Sequence, residues 1–84
     1  MDKKVLAEIY IPVTGASFDI FIPLESKMSD VLELLKKAVN EMSDGLFTAG
    51  ESTVICRRNT GDILNINLTV YELGIHNGSK LMLV

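Results

Sequence analysis

One cysteine and one histidine stand in a chain of 84 residues. A lone Cys56 excludes an intramolecular disulfide and fits a reducing compartment. A metal site draws three or four donors together. His76 has no Cys, Asp or Glu cluster beside it and falls in a turn, where it reads as a solvated side chain. No two carboxylates stand out as a general acid and base. Lys and Arg number 8 against 11 Asp and Glu, for a net charge of −3. The basic residues form no long run, which argues against nucleic acid as a partner. No apolar stretch reaches the roughly 18 residues of a membrane-spanning helix. The opening "MDKK" leads straight into a strand-like alternation without a cleavage site, so no signal peptide and a cytoplasmic location are expected. Gly15, Gly45, Gly61, Gly74 and Gly78 are spaced as turn and cap residues, and none forms a phosphate-cradling loop ahead of a helix.

Apolar residues make up 48% and charged residues 23%, which suits one folded domain over residues 1–84. A domain of this size buries about two thirds of its unfolded surface. That leaves little room for a deep pocket, and the expectation is a non-enzyme without cofactor or metal.

"VLAEIYIPV" places Val5, Ala7, Ile9, Ile11 and Val13 at period two, the signature of a strand with one buried face. "TGAS" follows as a turn, and "FDIFIPL" alternates again through Phe18, Ile20 and Ile22. The pair reads as a hairpin that sets Val13 opposite Phe18, Ile11 opposite Ile20 and Tyr10 opposite Phe21. "SKMSDVLELLKKAVNEMSDG" changes to helical spacing, with Val31, Leu34, Leu35, Ala38 and Met42 in the stripe and Leu32 and Val39 flanking it. Ser29 is the expected N-cap, Asp30 complements the helix dipole, and Gly45 is the expected C-cap. Lys36 and Lys37 fall on the solvated side. "LFTAGES" is expected to be a loop, "TVICRR" a short strand, "NTGD" a turn, "ILNIN" a weak edge strand and "LTVYELGI" a turn of helix or a compact loop. "HNG" is a tight turn, and "SKLMLV" a final strand with Leu81 and Leu83 inward and Lys80, Met82 and Val84 outward. The whole is an α+β domain. It has a mixed sheet of about five strands in the order 2-1-5-3-4, counted along the chain, with one helix on one face and the first and last strands parallel.

That element order resembles the ubiquitin-like β-grasp, and "TVYELGIHNGSKLMLV" carries the likeness best. The resemblance implies that Tyr71 anchors the turn before the last strand, that Leu73 and Ile75 plug the end of the core, and that Leu81 and Leu83 fill its centre. More narrowly, "ELGIHNGSKLMLV" resembles the end of the YukD/EsaB family, small bacterial proteins that accompany type VII (WXG100/Esx) secretion systems and carry a Gly-Ile-x-Asn-Gly turn. This likeness implies a cytoplasmic accessory or regulatory role. Ubiquitin and the sulfur carriers of the fold are activated at a Gly-Gly tail. Here the last residue is the β-branched Val84, so neither conjugation nor thiocarboxylate chemistry is expected.

Cys56 reads as a small core residue, with Ile55 then facing outward; Arg57 and Arg58 point to opposite faces. The outer sheet face then carries Tyr10, Phe21, Ile55, Met82 and Val84, an apolar patch without cover from the helix and the candidate protein-binding site. A weak homodimer through the same patch is the alternative use. The function read from this is a protein-interaction module whose partner is another protein. The rivals are a sulfur or protein carrier of the ubiquitin-like class and a small regulatory subunit of a multicomponent oxygenase.

Overall fold

A computed structural model describes residues 3–42 and 49–84. Its elements are β1 (Lys4–Ile11), β2 (Ala16–Pro23), α1 (Met28–Met42), β3 (Ile55–Arg57) and β4 (Lys80–Leu83). The sheet has four strands in the order β2-β1-β4-β3. β1 runs antiparallel to β2 and parallel to β4, and β3 runs antiparallel to β4. The expected order holds for these four. The "ILNIN" segment does not form a strand; it contributes a single antiparallel bridge, Ile63 to Cys56. The expected C-cap at Gly45 lies outside the described residues.

The β1–β2 hairpin closes earlier than the alternation predicts. Pro12 has no N–H and cannot extend the ladder. The chain turns over residues 12–15 instead, with Gly15 at φ 72° and its N–H donating to the Ile11 carbonyl at 2.9 Å. The partners are therefore Ile11 with Ala16, Ile9 with Phe18, Ala7 with Ile20 and Leu6 with Phe21. Val13, expected in the core, stands 70% exposed in the turn.

Val5, Ala7, Ile9 and Ile11 of β1, Ile22 of β2, Ile55 of β3 and Leu81 and Leu83 of β4 form the buried sheet face. α1 covers it with Met28, Val31, Leu32, Leu35 and Val39. The buried stripe is thus rotated from the expected one: Leu34 and Met42 face solvent, while the flanking Leu32 and Val39 are inside. Burying each such aliphatic side chain contributes on the order of 1.5–3 kcal/mol.

The helix also begins before the expected Ser29 cap. Its first N–H groups, left without intrahelical partners, are taken up by distant main chain. Met28 N–H donates to the Leu68 carbonyl at 2.8 Å and Ser29 N–H to the Ile66 carbonyl at 2.9 Å. The 66–75 segment is held against the core by Val70 and Ile75, with Leu73 half-buried beside them. Its main chain is tied to the β2–α1 connection: Val70 N–H donates to Ser26 and Tyr71 N–H to Leu24. Tyr71 joins the turn through its backbone alone, since its side chain is exposed.

Candidate functional site

The register of the four strands arranges the outer sheet face as a lattice of rows. One row runs Ser17, Tyr10, Met82 and Cys56, and the bridge from Cys56 adds Ile63 at its end. Beyond this row, Val84 and Val54 pair through mutual main-chain hydrogen bonds of 2.8 and 3.0 Å. That pairing continues the ladder and places both on the outer face by strand alternation. On the other side lies a charged row of Asp19, Glu8 and Lys80. Arg58 joins it at the β3 end, its N–H donating to the Lys80 carbonyl. A third row holds Phe21 and Leu6.

This lattice divides the expected site. Tyr10, Met82 and Val84 are contiguous. Phe21, exposed on the edge strand, shares their face. However, it lies four positions along the strands from the row of Tyr10, or about 13 Å, with charged residues between them. Ile55 does not belong to the outer face at all. It pairs with Leu83, is 0% exposed and packs in the core. The tripeptide Val54-Ile55-Cys56 is apolar throughout, so alternation in sequence could not fix its facing; the pairing with Leu83 does. Cys56 is consequently an outer-face residue, though a buried one.

Arg58 organises the middle of the face. Its long side chain crosses β4, and Nη1 donates to Glu8 Oε1 at 2.8 Å. The guanidinium sits over the Tyr10 ring, 4.3 Å from the centroid, where the negative ring face attracts it. Tyr10 is therefore half-buried under an intramolecular strap, and the open apolar surface shifts toward Ile63, 66% exposed, and Val84, 45% exposed. Sequence reading missed Ile63 and Val54 because both sit in segments without clear alternation. Arg57 pairs with Leu81 and points away from this face, opposite to Arg58, and its guanidinium donates to the Leu73 carbonyl.

At the end of the sheet His76 is exposed, with Nδ1 close to the Asn77 carbonyl, and its N–H donates to Ser79 Oγ. The Asn77-Gly78 turn does more than reverse the chain: Asn77 Oδ1 accepts the Leu6 N–H at 2.7 Å, and Gly78 N–H donates to the Leu6 carbonyl at 2.9 Å. Among the described residues no three His, Cys, Asp or Glu side chains gather to hold a metal ion. No helix among them is long and apolar enough to cross a membrane.

No protein-family model matches this chain, and no curated protein matches its sequence. Solved structures do match its fold, which is ubiquitin-like. The EccD5 ubiquitin-like domain from Mycobacterium xenopi superposes with a TM-score of 0.79 at 19% identity, covering 98% of this chain and 93% of that one. The ubiquitin-like domain of the Mycobacterium tuberculosis type VII secretion system protein EccD1 gives 0.67 at 19% identity, covering 98% of each chain. A chain of the toluene 4-monooxygenase HD complex gives 0.76 at 12% identity, again covering 98% of each.

Proposed function

We propose that this domain is a non-enzymatic protein-interaction module, an accessory or regulatory component of a type VII secretion system in the manner of YukD/EsaB, acting in the cytoplasm. The observation that carries the reading is the row Tyr10–Met82–Cys56–Ile63 with Val84 beside it. This apolar surface lies on the sheet face opposite the helix, rimmed by Glu8, Lys80 and Arg58. Contiguous apolar surface with a polar rim is what protein interfaces present. The likeness to the EccD5 and EccD1 domains supports the secretion setting.

The test is affinity capture from the source cell followed by mass spectrometry, with wild-type bait beside a Met82→Ala, Ile63→Ser double variant. The wild-type domain is expected to retain a secretion-system component and the variant, folded by circular dichroism, to lose it. Undiminished capture by the variant removes the surface from consideration.

The match to toluene 4-monooxygenase, spanning 98% of both chains, favours one second reading, a small regulatory subunit of a multicomponent oxygenase. Recovery of a di-iron hydroxylase in place of a secretion ATPase would select it.

A further inference from the structure

A second surface adjoins the first beyond β3, where the chain folds back through Ile63. Between the first half of α1 and the 51–66 segment runs a groove whose wall toward the sheet face is shared with Val54 and Ile63 and whose floor is Leu32, Ile55 and Leu64, with Thr53 beside them. The floor and Thr53 are buried, whereas Ile66 on the wall is 41% exposed. The Thr53 hydroxyl is already engaged by the Gly50 N–H at 2.9 Å, so the floor offers no unpaired polar atom and suits an aliphatic side chain.

The rim is acidic. Asp30 and Glu33 stand on the helix side and Glu51 across from them, and among the described residues Lys36 is the one cation lining the groove. Lys36 is spent locally: Nζ is 3.3 Å from Glu33 Oε1, and its side chain is only 15% exposed. Three carboxylates against one paired ammonium leave a negative frame around an apolar floor. A partner carrying negative charge is repelled there, and one carrying positive charge is drawn in.

We propose that this groove docks a protein segment that presents an aliphatic side chain flanked by lysine or arginine.

The probe is a synthetic capped hexapeptide with two central leucines and two lysines on either side, titrated into the isotope-labelled full chain and followed by amide chemical shifts. The expected shifts fall on Asp30, Leu32, Glu51 and Ile66. Glu51→Lys, a loop substitution, weakens binding about three- to tenfold, as does raising the salt to about 0.5 M. Tyr10→Ala leaves binding unchanged, which separates this site from the Tyr10–Met82 part of the sheet face. Four results overturn the proposal: no shifts at millimolar peptide, shifts centred on Tyr10 and Met82, equal binding of a peptide with glutamates in place of the lysines, or the same amides shifting with protein concentration alone. The last would assign the groove to a second copy of the chain.

Discussion

The guanidinium of Arg58 lies 4.3 Å from the centroid of the Tyr10 ring, so one side chain from the end of β3 clamps another from β1 across the intervening β4. Arg58 also reaches Glu8 at 2.8 Å, and the three side chains form one unit. Both contacts are partly exposed, so each contributes modestly.

Arg58→Ala is therefore expected to cost about 1 kcal/mol in urea unfolding, the sum of a surface cation–π contact and a screened ion pair. Arg58→Lys keeps the charge but loses the planar stack, and should recover less than half of that loss. The part that Lys restores should shrink as salt rises.

Ile55 and Ile63 make a paired comparison. Ile55→Ala opens a cavity in the core and is expected to cost about 2–4 kcal/mol. Ile63→Ala, at an exposed position, should stay within about 0.5 kcal/mol. Equal losses by chemical denaturation would contradict the facing of β3.

Gly78 holds φ at 91° and donates to the Leu6 carbonyl. A Cβ there meets no atom within 4 Å, so the penalty of Gly78→Ala is conformational alone, about 1–2 kcal/mol. Gly50→Ala, where the Cβ space is equally open and φ is not positive, is the control and should be near neutral. Thermal melts of the two variants separate the cases.

Glu72 and Thr69 bond reciprocally: Thr69 N–H donates to Glu72 Oε1 at 2.9 Å and Glu72 N–H to Thr69 Oγ1 at 3.1 Å. The Thr69 N–H first, then its hydroxyl, and last the Lys27 charge hold the Glu72 carboxyl below its ordinary value. A carboxylate depressed in the folded state adds stability that is present above its unfolded pKa and disappears as pH falls through the folded one. Glu72→Gln should accordingly flatten the acid limb of stability below about pH 5 and leave the slope at neutral pH unchanged. The group is exposed, so the effect is small. An acid limb as steep in the variant as in the wild type would refute the assignment.

The elements with a clear period were legible. Alternation located β1 and β4, and helical spacing located α1. The facing of β1 and β4 was legible as well, but the hairpin register, the facing of β3 and the rotation of the helix stripe were not, because they depend on long-range contacts. Pro12 moved the hairpin turn back from "TGAS" and shifted every pair of β1 and β2. Leu34 and Met42 are apolar and fit the helical stripe, yet the sheet meets the helix along Leu32, Leu35 and Val39. Of the expected patch, Tyr10, Met82 and Val84 stayed together, Phe21 was separated by the charged row and Ile55 went to the core. The strap of Arg58 joins residues far apart in the chain, which no local pattern records.

The first two amides of α1 draw their acceptors from Leu68 and Ile66, nearly half the chain away, while those of Asp30 and Val31 close locally on the Lys27 carbonyl. Protection of those first two amides therefore depends on the 66–68 main chain staying docked. The amides of Met28 and Ser29 are expected to exchange with solvent in the same opening event as Val70 and Tyr71 rather than with the middle of the helix.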